Sequence, residues 1–163
     1  MAEERTTREQ AAPISPEGNL AEHCDFEHSG TGIMLNALWI FLGGGLGSLA
    51  RWWFSGAVAS TVGQTFPWGT LAVNVTGSFV IGLFATATGP GGRWLAPTSF
   101  REFFMLGICG GYTTFSSFSL QTLTLAQDGE WLYAGANILL SVVSCLIAVW
   151  LGHLLAVTIN TPS

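Results

Sequence analysis

After residue 32 the apolar residues gather into four long runs that charged residues barely interrupt. A bilayer needs roughly 20 mainly apolar residues for each helix that crosses it. The runs at about 33–60, 69–88, 100–126 and 131–159 all meet that length. Between them lie "TVGQTFPW", "GPGGRWLAPTS" and "QDGE", which carry the Gly, Pro and Asp of turns. Links this short make neighbouring helices antiparallel, and four crossings leave both termini on one side. The pattern predicts an all-α integral membrane protein with four transmembrane helices in one domain, 33–159. Trp52, Trp53, Trp68, Trp94 and Trp131 fall near run ends, where interfacial aromatics sit.

Composition agrees. Only 9% of the 163 residues are charged, against about 25% in soluble domains. There is no Lys, and seven of the ten acids precede residue 28. The six charges after Glu27 cancel, so the net charge of -5 belongs to the N-terminal stretch. It marks no acidic functional surface, and no basic patch invites nucleic acid. Residues 1–32 mix Pro and Gly with Glu, Thr and Ser, which predicts a disordered acidic tail. Being acidic, and separated from the first apolar run, it does not read as a signal peptide. Cys24, Cys109 and Cys145 have neither a disulfide framework nor metal-ligand spacing. The expected location is the cell membrane, with several passes. Arg93 and Arg101 lie on one side and Arg5 and Arg8 on the other, so the positive-inside bias is nearly tied. Insertion both ways round and a weakly determined single topology both fit that tie.

Small residues line the runs. Gly43, Gly47 and Arg51 share one face; Thr70, Asn74 and Ser78 share another; Asn137, Ser141, Cys145 and Gly152 lie along a third. Such faces let helices approach closely in lipid. Two polar residues ask for more. Arg51 stands alone between Glu27 and Arg93. Either it snorkels at the end of its helix or it serves a function inside the membrane. Asn74 lies near mid-segment, as an interhelical hydrogen-bond partner or as a donor facing a pore. No Asp or Glu lies deep in any run. That argues against a proton-coupled exporter, which needs a carboxylate in the membrane. Donors with one fixed positive charge suit an anion. A non-transporting scaffold accounts for the glycines, but not for Arg51 and Asn74 together. An enzyme is not expected, since His153 stands alone and no nucleophile–base set is visible.

The stretch "GGYTTFSSFSLQTLT", Gly110 to Thr124, is rich in hydroxyls and opens on paired glycines. Gly110 and Gly111 are poor helix formers. A break there frees backbone carbonyls, which is tolerated at depth only when buried or lining a cavity. Unwound carbonyls can coordinate sodium. Phe115 and Phe118, three apart, share a helix face. They are either core aromatics or ring edges, which are electropositive and can meet an anion.

Together, "GGGLGSLARWW", "GTLAVNVTGSF" and "GICGGYTTFSSFS" resemble the Fluc/CrcB family of fluoride channels, over about Leu42 to Gly152. The resemblance implies an antiparallel, dual-topology dimer with a break in the third helix. It implies a structural sodium held by the Gly110 and Thr113 carbonyls of both subunits. It implies two pores per dimer, with Asn74, Phe115, Phe118 and Arg51 along them. Ser141 and Asn137 would lend polar groups from the fourth helix. The chain departs from the family's commoner residues at Gln121, Ser117 and Tyr112. The function implied is passive exit of cytoplasmic fluoride, which protects fluoride-sensitive enzymes. The partner is a second copy or a related sister subunit.

Overall fold

The computed structural model describes residues 30–161, and no strand occurs among them. Most of the tail expected at residues 1–32 lies outside the described residues. Its last three positions do not: Gly30, Thr31 and Gly32 already belong to a helix. Extending a formed helix gains one hydrogen bond per residue fixed, which outweighs the poor propensities there. Two compact units divide the chain, Met1–Leu35 and Asn36–Ser163. Of the first, the described residues are only an opening stretch of helix. All packing set out below lies within the second.

Helix α1 spans Gly30–Val62 and α2 spans Trp68–Ala87. The third segment is divided. A short α3, Thr98–Glu102, runs into a π-helical stretch, Phe103–Cys109. One turn follows, α4 at Gly110–Tyr112, and then α5 at Phe115–Gln127. The last helix, α6, is Trp131–Asn160. At 1.5 Å per residue α1 is about 50 Å long, more than a bilayer core needs.

The turn chemistry fits these limits. Gly63 follows α1 with φ of +98°, and its N–H donates to Ala59 O at 3.0 Å, satisfying a carbonyl of the last turn. Pro67 and Pro97 precede α2 and α3, where a missing N–H costs nothing. Helices α1, α2 and α6 are each long and apolar enough to cross a membrane. No piece of the third segment reaches that length.

Small residues make the core. Val73, Ala134, Ala148 and Ala156 are buried, while Leu46, Leu49, Leu132 and Leu139 point outward. This inversion of the soluble pattern suits a lipid surface, where apolar side chains gain nothing by hiding. A Cβ on Gly82 would lie 2.3 Å from Val149 O, and one on Gly152 2.2 Å from Phe79 O. Helices α2 and α6 therefore meet backbone to backbone, as small residues permit in membranes. Likewise a Cβ on Gly47 would lie 2.2 Å from Ile108 O, so α1 presses on the third segment.

The break falls later than the glycines suggest. Gly110 and Gly111 are helical, and the extended residues are Thr113 (φ -76°, ψ 158°) and Thr114 (φ -152°, ψ 114°). Gly111 instead serves contact: a Cβ there would lie 2.4 Å from Gly44 O. The chain opens where a side chain competes for its backbone, and that side chain is Asn74.

Candidate functional site

Asn74 lies on α2 opposite the break. Its Nδ2 donates to Thr114 O at 3.0 Å, and its Oδ1 accepts from Thr114 N at 2.8 Å. The carboxamide thus replaces the helical acceptor of the Thr114 N–H and adds a donor to the carbonyl of the same residue. In a continuous helix the Thr114 amide would bond the Gly110 carbonyl. Diverted to Asn74, it leaves that carbonyl without its helical donor. The buried Thr114 then starts the next helix, its Oγ1 accepting from Ser117 N at 3.2 Å as an N-cap.

Helix α1 reaches the same place. Arg51 Nη1 donates to Thr113 O at 3.3 Å, and Ser48 Oγ donates to Gly111 O at 3.4 Å. Arg51 therefore turns inward to the break rather than out toward the membrane edge. Beside these groups lies a cavity of about 340 Å³ lined by Ser48, Arg51, Ser55, Thr70, Ser117 and Gln121, among others. Among the described residues no carboxylate lines it. Thr114 Oγ1 donates to Ser117 Oγ at 3.0 Å, which leaves the Ser117 proton free for another acceptor. The cavity therefore offers hydroxyl donors and one guanidinium. A larger cavity of about 650 Å³ shares Trp52, Ser55, Thr70 and Gln121 with it and reaches Asp128 and Glu130. Of the two cavities, this outer one is where acids stand among the described residues.

The other face of α5 is apolar. The rings of Phe115 and Phe118 lie 5.3 Å apart at 51°. Phe118 is buried, whereas Phe115 is 76% exposed in the single chain. Both border a groove of about 540 Å³ with Thr122, Ile138 and Val142.

The first three segments match the CrcB-like protein model, Camphor Resistance (CrcB), and so does α6 as far as His153, over residues 38–153. The chain belongs to the CrcB family. Three similar relatives are each named "Fluoride-specific ion channel FluC". The Rhodospirillum rubrum protein is 64% identical over 123 residues, covering 76% of this chain and 95% of the relative. That of Opitutus terrae is 60% identical over 124 residues, covering 76% and 94%. That of Methylocella silvestris is 57% identical over 126 residues, covering 77% and 96%. The relatives are named as ion channels, not enzymes. With several apolar helices of spanning length, this CrcB chain is a multi-pass membrane protein.

Within this CrcB chain the expected residues form separate groups. Arg51, Asn74, Gly110 and Thr113 meet at the break, and Phe115 and Phe118 meet each other. Asn137 and Ser141 form a third group between α5 and α6. Asn137 is 2% exposed and donates to Thr122 Oγ1 at 2.8 Å, while Ser141 Oγ donates to Asn137 Oδ1 at 3.3 Å. Sequence reading gives no site role to Thr114, Thr70, Ser48 or Ser117, although it places Thr70 on one face with Asn74 and Ser117 within the motif. Helical spacing signals them: Ser48, Arg51 and Ser55 make one polar stripe, and Thr114, Ser117 and Gln121 make another. These stripes face each other across the smaller cavity.

Proposed function

We propose that the chain is a fluoride channel through which cytoplasmic fluoride leaves passively. The observation that carries this is the cavity at the break. It gathers hydroxyls and the Arg51 guanidinium, and no carboxylate among the described residues lines it. The name shared by its relatives gives the ion. Fluoride holds its water tightly, so a pore must replace that water without trapping the ion. The free proton of Ser117 is suited to that exchange, as is the amide of Gln121, which lines both cavities. Ring edges at Phe115 and Phe118, on the opposite face of α5, are electropositive yet weak and serve the anion where a partner subunit supplies the facing wall. Arg51 draws the anion in, and the outer acids stay clear of the inner space.

In this reading all four segments cross the membrane, the third as a broken helix. The working unit is an antiparallel, dual-topology dimer. The exposed Phe115 supports this, since a pore aromatic needs a wall the single chain lacks. The nearly tied arginines of tail and loop allow both insertions.

Sodium fits the break. The donor set there is neutral carbonyl oxygen with no carboxylate, the kind that suits a hard monovalent cation. The Gly110 carbonyl has lost its helical donor. Arg51 uses one lone pair of the Thr113 carbonyl and leaves the other. Gly110 and Thr113 would hold the ion, together with their copies in the partner, and it would fix the dimer axis.

The test is fluoride efflux from liposomes containing the purified chain alone, beside chloride-loaded vesicles and a Phe115→Ile control. Fast efflux for fluoride, absent for chloride and lost in the variant, is expected. No efflux from the folded chain alone would sink the homodimeric channel; recovery on adding a sister subunit would assign a heterodimer.

A further inference from the structure

The break is flanked by smooth contacts. Gly111 rests on Gly44 of α1, and Gly77 of α2 lies under Tyr112 and Thr113, where a Cβ would meet Thr113 Cγ2 at 2.3 Å and Tyr112 Cδ1 at 3.1 Å. At Gly44 glycine meets backbone, which brings the chains close without a knob to stop one rolling over the other; at Gly77 the Thr113 methyl and the Tyr112 ring seat in the niche a side chain would fill. Polar tethers add to that hold on the roll. Those from α1 are long, at 3.4 Å and 3.3 Å. Those to α2 are short, and besides Asn74 there is one more. Tyr112 Oη lies 2.9 Å from Thr76 Oγ1. The Thr76 hydroxyl hydrogen is already directed at its own helix, to Ala72 O at 2.7 Å or Val73 O at 3.1 Å. Tyr112 is therefore the donor. The ring is held in addition by Phe54, with centroids 6.4 Å apart.

The two α2 tethers bracket one residue. Tyr112 bonds Thr76 and Thr114 bonds Asn74, and Thr113 lies between them. Resting on the channel reading above, we infer that Tyr112 is a positioning residue for the break: its phenol, anchored on Thr76, sets the roll of the Thr113 carbonyl and so the geometry of the ion site there. Asn74 fixes one end of this short extended piece to α2. At the other end Thr113 N–H and Oγ1 both donate to Cys109 O at 2.9 Å, within the third segment itself, and the Tyr112 phenol is what ties that end to α2.

The experiment uses the full chain in detergent and in liposomes. Sodium is titrated while thermal unfolding is followed, for wild type, Tyr112→Phe, Thr76→Val, Thr76→Ser and the Tyr112→Phe/Thr76→Val double variant. Tyr112→Phe keeps the ring on Gly77 and removes only the donor. It is expected to raise the sodium concentration for half-maximal protection about fivefold, the factor one net neutral hydrogen bond supplies. Thr76→Val should match it, the double variant should be no worse than either single one, and Thr76→Ser should behave as wild type. An unchanged half-point in Tyr112→Phe, effects that add in the double variant, or a wild type without a sodium response would each overturn the inference. A wild type that responds to sodium yet passes no fluoride would instead sink the channel reading and leave the tether standing.

Discussion

Asn74 and Thr114 pair as two peptides do, one N–H···O contact in each direction, at 3.0 Å and 2.8 Å. A side chain on α2 thus takes the place of the helical ladder at the one point where the third segment opens. The cost of breaking a helix in lipid is an orphaned donor and acceptor. Here the orphaned donor, the Thr114 N–H, is satisfied by the Asn74 amide, so the break is a stable feature of the fold rather than a frayed spot.

Replacing Asn74 with Leu should therefore damage structure and transport together. It strands the Thr114 N–H and takes the side-chain donor from the Thr114 carbonyl, and a buried orphan costs about 1–3 kcal/mol. Asn74→Gln should not rescue, because its extra methylene moves the amide off the peptide it matches. Thermal unfolding in detergent and fluoride efflux are the readouts. A stable, conducting Asn74→Leu variant would contradict the pairing's role.

Arg51 makes a separable electrostatic prediction. Arg51→Met keeps much of the stem and removes the only charge that the described residues place in the lining of the inner cavity. Fluoride efflux should fall several-fold at low ionic strength and by less at high, because screening shortens to about 3 Å at 1 M salt. Arg51→Lys should lie between the two. An equal loss at both ionic strengths would show that Arg51 acts only through its bond to Thr113 O.

The helical runs were legible because lipid imposes a simple rule of apolar length. The single Arg and the mid-helix Asn were legible because each is costly in a membrane and so stands out. What stayed hidden depends on partners far along the chain. Paired glycines suggest a break at Gly110 and Gly111, yet Gly111 is helical and fills a contact with Gly44. The opening falls at Thr113 and Thr114, two residues of ordinary propensity, because Asn74 lies across from them. The π-helical turns at Phe103–Cys109 left no mark that periodicity could show. The hydroxyls of the inner cavity were hidden for another reason. Each alone reads as a packing residue, and only the facing of two helical stripes makes them a lining.

The backbone contact between α2 and α6 predicts a sharp contrast among glycines. Gly152→Ala places a methyl 2.2 Å from Phe79 O, where only backbone can yield. Such overpacking costs about 1–3 kcal/mol, and the melting temperature should drop. Gly135, on the same helix, has nothing within 4 Å of a built Cβ. Gly135→Ala should stabilise by up to about 1 kcal/mol through helix propensity. Thermal unfolding of the two variants side by side decides it; a destabilised Gly135→Ala would mean that its surface is covered by another chain.

Gln121 offers the cleanest separation of stability from transport. Its Oε1 is buried with no hydrogen-bond partner among the described residues, and the residue lines both the inner and the outer cavity. An unsatisfied buried acceptor costs about 1–3 kcal/mol. Gln121→Leu removes that acceptor at similar volume, so the protein should melt at a higher temperature. The same change takes a polar wall from both cavities, so fluoride efflux should slow. A change that stabilises the fold while it weakens conduction marks a residue kept for the pathway rather than for packing. If Gln121→Leu raised the melting temperature and left efflux untouched, the ion would have to bypass Gln121, and a path through the two cavities would have no part in transport.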